Sequence, residues 1–167
     1  MSRRRLRDHK VSAATGAFAL YTAIMTVLER RMRATGGPGI IEFELAGSGF
    51  RAEQIMTQWG HDGQRAARAS MWLDFGYMTS YGILAALLLE RARLRWGHPR
   101  ALIGAAVVAV AGDAIEGVSL LKVLDRDRVD VHARRARTAA LAKFAALAGA
   151  LGYVVAEAIR PLFSPRR

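Results

Sequence analysis

The stretch SMWLDFGYMTSYGILAALLLE, residues 70–90, decides the fold class. It is apolar for about six helical turns, and about 20 apolar residues is the length that an α-helix needs to cross a bilayer core. One carboxylate, that of Asp74, lies about one turn from the start of the stretch. A charged side chain is costly in lipid, so it indicates a partner on another helix or a functional site.

Three other stretches of the chain have the same length and apolar character. Basic blocks such as RRRLRDHK and RARLRWGHPR flank these stretches, as is typical of the ends of membrane spans. The pattern predicts an all-α integral membrane four-helix bundle that forms a single domain over residues 1–167, with a long and partly structured first loop at 29–69. The predicted spans are 11–28, 70–89, 101–124 and 138–159.

The composition excludes several classes of site. The 25 Lys and Arg residues outnumber the 14 Asp and Glu residues. They flank the apolar stretches, so we expect them to contact anionic lipid head groups rather than nucleic acid. The chain has no cysteine, which excludes disulfides, thiolate metal sites and thiol catalysis. The first apolar run is too long for a signal peptide and lacks an A-x-A-like cleavage site, so we expect it to remain as a span.

Four spans place both termini on the same side of the membrane. Lys and Arg are slightly more numerous on that side than on the opposite side. Because cytoplasmic loops carry the excess of Lys and Arg, we expect both termini in the cytoplasm and the protein in the inner (plasma) membrane. The bilayer is the predicted partner, together with a membrane protein partner or further copies of the same chain.

The first connection carries two contrasting patterns. In IIEFELAGSGF, residues 40–50, apolar and acidic residues alternate as in a strand. The following segment has apolar residues at helical spacing, and Ser48 is placed to cap that helix. We expect this helix to lie flat at the outer interface, with Trp59 as its aromatic anchor. His61, farther along the same segment, is expected to be a solvated loop residue.

Four ionisable side chains lie inside the predicted spans: Asp74, Asp113, Glu116 and Lys143. At about 1.5 Å of rise per residue, all of them fall in the same half of the bilayer, whichever way the protein is inserted. Small residues at four-residue steps accompany the charges on the third and fourth spans, and such faces pack against other helices. The sequence therefore predicts that the charges converge inside the bundle.

A single lysine cannot neutralise three carboxylates. The surplus charge requires protonation, an arginine that reaches in from a loop, or a bound cation. Asp113 and Glu116 are three residues apart on one helical face and form a candidate weak cation site, whereas no other metal site is predicted. Asp74 and Lys143 alternatively form an interfacial salt bridge that fixes the helix register. Tyr77 and Tyr81 follow Asp74 along the same stripe, as packing residues or as ligand contacts.

The segments FELAGS, LDFGYMTSYG, GDAIEG and LAKFA carry a resemblance to a known group. The chain resembles uncharacterised small four-span membrane proteins of bacteria that have F-E-x-A-G in the first loop. Gly117 stands where the group's pattern leads us to expect an asparagine. The resemblance implies that six residues belong to one site: Glu44, Asp74, Tyr81, Asp113, Glu116 and Lys143.

These features favour a bundle that binds or processes a small polar or lipid-like ligand or a cation. Asp113 and Glu116 would supply charge, Asp74 with Tyr77 would position the ligand, and Lys143 would bind an anionic part. An enzymatic version would use one of these carboxyl groups as a general acid or base. No motif assigns a catalytic residue or a cofactor. The alternatives are an accessory or assembly subunit of a larger membrane complex, and a proton- or cation-coupled transporter that acts as a homo-oligomer.

Overall fold

The computed structural model describes the backbone of residues 3–163 and the side chains of residues 8–160. Within this part of the chain all regular structure is helical and no strand is present. A short 3-10 turn, Arg100–Ile103, precedes α4. The five α-helices are α1 (Arg3–Arg33), α2 (Ile40–Glu44), α3 (Gly49–Trp96), α4 (Gly104–Leu124) and α5 (Val129–Phe163).

Four of the helical segments are long and apolar enough to cross a membrane, which confirms the predicted all-α four-span bundle. They are longer than the predicted spans. The 48 residues of α3 would extend roughly 72 Å, whereas the hydrocarbon core is only about 30 Å thick. The membrane-compatible segments are Asp8–Arg33, Gly49–Trp96, Arg100–Leu124 and Val129–Arg160.

The strand-like interpretation of residues 40–50 is wrong, because this segment contains the helix α2. Phe43 and Glu44 point inward with 1% and 8% of their surface exposed, while Ile41 and Glu42 are exposed. A single strand would leave its backbone donors and acceptors unpaired, and the described chain offers no second strand to pair with it. A short helix satisfies those groups internally.

The helix predicted after Ser48 exists, as the first part of α3. Ser48 caps it by accepting a hydrogen bond from the Arg51 amide at 3.2 Å. The prediction that Trp59 is an interfacial anchor is wrong. Trp59 is 1% exposed, and its indole Nε1 donates to the carbonyl oxygen of Pro38 at 2.6 Å. Its ring also packs against Phe43, with ring centroids 4.9 Å apart.

Residues 40–59, which we call the cap, therefore pack onto the protein rather than on the lipid surface. At Gly60 the backbone takes φ 57° and ψ −162°, a left-handed conformation that kinks α3 where the cap ends. The apolar side of the cap joins the ends of α1, α4 and α5 in one core. This core includes Met32, Phe43, Ile55, Met56, Trp59, Leu120, Val123, Ala133 and Ala136.

The spans pack in a defined order. Helix α1 packs along α3, and α5 packs mainly along α4 and also against α3. Helices α4 and α5 approach closely at Gly112, where an added Cβ would lie 3.1 Å from the Ala139 carbonyl oxygen and 3.3 Å from the Lys143 amide nitrogen. Among the described residues, α1 and α5 share no extended interface, and a cleft separates them.

Candidate functional site

Lys143 lies at the centre of the polar interior. Its Nζ is 2.8 Å from Oδ1 of Asp113 and 2.8 Å from Oε2 of Glu116. A third carboxylate, that of Glu44 on α2, places Oε2 3.5 Å from the same nitrogen. All four side chains are buried, with exposures of 2–8%. Helices α2, α4 and α5 thus meet at one ammonium group. We call Lys143 and these three carboxylates the Lys143 cluster.

Tyr81 extends the Lys143 cluster to α3. Its hydroxyl donates to Oδ2 of Asp113 at 2.7 Å and lies 3.4 Å from the carbonyl oxygen of Ala109. Asp113 therefore uses one oxygen for the ammonium and the other for the phenol. Glu116 is less well satisfied, because its Oε2 makes the ion-pair contact with Lys143 without a hydrogen bond to any described group.

Asp74 lies beside the Lys143 cluster and contacts it through the carboxyl group of Asp113 rather than through Lys143. Its side chain is half-buried, and it interacts electrostatically with Asp113, Lys143 and Glu44. No Lys, Arg or His of the described chain lies within ion-pair distance of it. The expected interfacial salt bridge between Asp74 and Lys143 is therefore wrong: Lys143 pairs with the three other carboxylates.

Tyr77 contacts α1 rather than the carboxylates. Its ring stacks on Phe18 with centroids 5.6 Å apart, and it meets the Tyr81 ring edge-on at 5.7 Å. Thr22 Oγ1 donates to its hydroxyl at 3.5 Å, a long and weak hydrogen bond. The structure thus brings together six of the seven residues that the sequence singles out, and places Tyr77 in the adjoining wall.

The charges of this region do not balance. Four carboxyl groups, those of Glu44, Asp74, Asp113 and Glu116, surround one ammonium group. A loop arginine, one of the three ways in which the sequence allows the surplus to be resolved, is absent from the described ion pairs of these four residues. Burial raises the pKa of Glu44, which lies outside the spans, and the ammonium of Lys143 opposes that rise. The surplus negative charge is left to protons or to a cationic ligand.

A cavity of about 590 Å³ opens beside the Lys143 cluster, between α1, α3 and α5. One end is polar, with Glu44, Asp74, Asp113 and Lys143 in its wall. On α1 the wall also contains the carboxylate of Glu29 and the hydroxyls of Thr22 and Thr26, and on α3 it contains the hydroxyls of Ser70, Tyr77 and Tyr81. The remaining side chains of the wall are apolar. The apolar part is lined by Phe18, Met25, Leu84, Leu88, Leu89, Phe144, Leu147, Leu151 and Val154.

The predicted cation site at Asp113 and Glu116 holds the lysine ammonium between its two carboxylates. No group of three or more His, Cys, Asp or Glu side chains in the described part of the chain is arranged to hold a metal ion. His61 is 81% exposed on the far side of the kink and takes no part in the cluster. The lysine ammonium therefore lies where the sequence predicts a bound cation.

A second polar group at the opposite end of the spans was missed at the sequence level. His98, in the turn after α3, places Nδ1 2.7 Å from the Tyr153 hydroxyl and 3.8 Å from Oε1 of Glu157. The guanidinium of Arg160 lies over the Trp96 ring at 4.4 Å. The only sequence signal is the four-residue step from Tyr153 to Glu157 on one face of α5. These contacts join α3 to α5 at that end.

No family model, no curated protein and no solved structure matches the chain. The resemblance carried by the F-E-x-A-G segment and the three span motifs therefore stays a prediction, and the geometry of the site is the basis for its function.

Proposed function

We propose that this four-span protein binds a small organic cation, an amine, in the cavity beside the Lys143 cluster. The observation that carries the proposal is the charge imbalance: Glu44, Asp74 and Asp113 line the polar end of the cavity with a single ammonium group, that of Lys143. A fourth carboxyl group, that of Glu116, lies outside the cavity wall and 2.8 Å from the same ammonium. A buried carboxylate without a counter-charge is costly, and an ammonium ligand offsets that cost through charge-assisted hydrogen bonds.

The individual carboxylates have different roles in this proposal. Asp113 and Glu116 each lie 2.8 Å from the lysine ammonium, so they hold Lys143 and are not available to a ligand. Asp74 hydrogen-bonds to the Asp113 carboxyl but has no cationic partner, and it lines the cavity, which makes it the primary ligand carboxylate. Glu44, at the longer distance of 3.5 Å from Lys143, is the second one. Tyr77 forms the aromatic wall beside the bound amine.

The apolar half of the cavity suits a ligand with a hydrocarbon part. A volume of about 590 Å³ falls within the range that binds small organic molecules. We place the protein in the inner membrane with both termini in the cytoplasm, as the Lys and Arg distribution predicts. The basic residues at 1–7 and 161–167, on which this orientation partly rests, lie outside the described side chains.

Native mass spectrometry from lipid nanodiscs tests the proposal with dodecylamine as the probe and dodecanoic acid as its anionic counterpart. We expect the wild-type protein to retain dodecylamine and not dodecanoic acid. Asp74→Asn removes the ligand carboxylate and is expected to lower amine occupancy at least about tenfold, since a charge-assisted contact is lost. The matched control is Asp62→Asn, the same change at a residue whose side chain is 79% exposed.

Equal retention of the amine and the acid would contradict the proposal, as would equal loss in the two variants. Two other outcomes would favour the alternative functions. Co-purification of one stoichiometric protein would support the accessory subunit. Amine uptake into liposomes driven by an ion gradient, with a homo-oligomer in the spectra, would support the transporter.

A further inference from the structure

We infer that the bound amine is a membrane-dissolved amphiphile and that it enters sideways from the lipid through the cleft between α1 and α5. This inference rests on the proposed function, and it names the source of the ligand and its route. Three features of the described structure carry it: the order in which the helices pack, the exposure of the residues at the cavity rim, and the cover on the polar end.

The packing order leaves one side of the cavity without a helix–helix seal. Helix α1 is held by α3, and α5 is held by α4 and α3, so α1 and α5 face each other without extended contact. Both contribute to the cavity wall, α1 through Phe18, Thr22 and Met25, and α5 through Leu147 and Leu151. The cavity thus lies in the cleft itself, at the level of the apolar spans.

The rim of the cavity is open to the outside of the bundle. Leu151 lines the cavity and is nevertheless 64% exposed, and Thr26 on the facing helix is exposed as well. Leu151 lies inside a membrane-compatible segment, nine residues before its end at Arg160, where the outside is lipid. An alkyl chain can therefore extend from the cavity into the lipid at this rim without meeting water.

The polar end is covered on the side of the first connection. Helix α2 places Ile40 and Ile41 in the cavity wall and buries Glu44 to 8% exposure. Oε2 of Glu29 on α1 accepts a hydrogen bond from the Ile40 amide at 2.9 Å, which fixes the start of α2. The rest of the cap, behind α2, is anchored by the buried Trp59. A water-soluble amine meets this cover, whereas a lipid-dissolved amine reaches Asp74 through the cleft.

The geometry also sets the orientation of the ligand. Asp74 and Lys143 mark the polar end, and Val154 marks the apolar end of the wall on α5. The 11 residues from Lys143 to Val154 span roughly 16 Å of helix. The ammonium head lies at the polar end against Asp74, and the chain runs along α5 toward the rim at Leu151.

The test follows dodecylamine loading over time in nanodiscs by native mass spectrometry, with spermidine as the water-soluble amine. Leu151→Trp places a large ring at the rim of the cleft. Leu141→Trp is the matched control, because Leu141 is 52% exposed on the same helix and does not line the cavity. We expect Leu151→Trp to slow loading roughly tenfold, Leu141→Trp to load as wild type, and spermidine not to bind.

The outcomes separate the two proposals. If dodecylamine binds and depends on Asp74, but Leu151→Trp loads at the wild-type rate, the lateral route is overturned and the amine site remains. Binding of spermidine to the wild type at the same occupancy would overturn the lipid source. If the wild type never retains dodecylamine, the amine site itself fails. A thermal unfolding curve for each Trp variant, equal to that of the wild type, confirms that the folded bundles are being compared.

Discussion

Replacing Lys143 with methionine should destabilise the bundle far more than the same replacement at a surface lysine. Lys143→Met keeps most of the side-chain length and removes the one ammonium group shared by three buried carboxylates. Breaking a buried ion pair from one side costs on the order of 3–5 kcal/mol, because the remaining charge stays buried and unpaired. For a chain of 167 residues, this cost corresponds to a fall in Tm of roughly 6–20 °C.

Lys122→Met is the matched control within the same protein. Lys122 is 41% exposed and lies 3.4 Å from Asp127, so its ion pair contributes only about 0–1 kcal/mol. Thermal unfolding in detergent micelles, followed by tryptophan fluorescence, compares the two variants directly. The buried Trp59 reports on the cap in the same experiment.

A compensated variant separates the loss of the charge from the loss of packing. Adding Asp113→Asn and Glu116→Gln to Lys143→Met puts neutral groups of similar shape in place of the ammonium and of the two carboxylates that lie 2.8 Å from it. Because replacing buried ion pairs by neutral groups is often close to neutral in stability, and only Glu44 of the Lys143 cluster keeps its carboxyl group, we expect the triple variant to regain more than half of the lost Tm. The reasoning is refuted if Lys143→Met unfolds at the same temperature as Lys122→Met, or if the triple variant is less stable than Lys143→Met alone.

Three further predictions concern helix packing, the cap and its pH dependence. Gly112→Val should lower stability by about 1–3 kcal/mol in thermal unfolding, because its side chain meets the backbone of α5, whereas Gly149→Val, with open space around it, should have little effect on packing. Trp59→Phe should cost about 1–3 kcal/mol by leaving a buried carbonyl unpaired, whereas Trp72→Phe, at a residue 63% exposed, should cost less than about 0.5 kcal/mol. Burial raises the pKa of Glu44 above its ordinary value of 4.5, so the folded state holds that proton more tightly than the unfolded chain. The contribution of the Glu44 proton to the free energy of unfolding is then fully present below pH 4.5 and is lost as the pH rises through the raised pKa of the folded state. Glu44→Gln should therefore flatten that part of the Tm–pH curve.

Each of these predictions has a result that would contradict it. Equal unfolding temperatures for the two glycine variants would mean that α4 and α5 do not approach closely at Gly112. Equal effects of the two tryptophan variants would place Trp59 at a surface. A Tm–pH curve that is the same with and without Glu44→Gln would mean that Glu44 is not buried next to the Lys143 cluster.

The convergence of the intramembrane charges could be predicted from the sequence because lipid leaves them few alternatives. Asp113 and Glu116 share a face at helical spacing, and Lys143 lies at the matching depth on the next span. The helical periodicity of the predicted spans also determines which charged residues share a face. The ion-pair partner of Lys143 was less predictable, because the sequence also allowed a pair with Asp74. The close approach of α4 and α5 at Gly112 instead brings Lys143 to Asp113.

The cap and the cleft could not be predicted, since both depend on contacts between distant segments. An amphipathic helix that contains Trp59 suits a lipid interface and a protein core equally well, and only the docking of α2 decides between them. The contact of Glu44 with Lys143 has the same origin, and its only signal was the resemblance in the FELAGS segment. The separation of α1 from α5 likewise depends on which helices pack against each other, and the hydropathy pattern carries no information about that packing.

The most direct test of the account is a dipolar-coupling distance in lipid bilayers between the lysine side-chain nitrogen and the aspartate carboxyl carbon. Selective labelling of these two atom types, with Lys143→Arg as the control, isolates the contact of Lys143 with Asp113. The account predicts strong coupling in the wild type, for a distance within about 4 Å, and its loss in Lys143→Arg. A wild-type spectrum with no coupling beyond that of the control would contradict the convergence of the charges on which the proposed site depends.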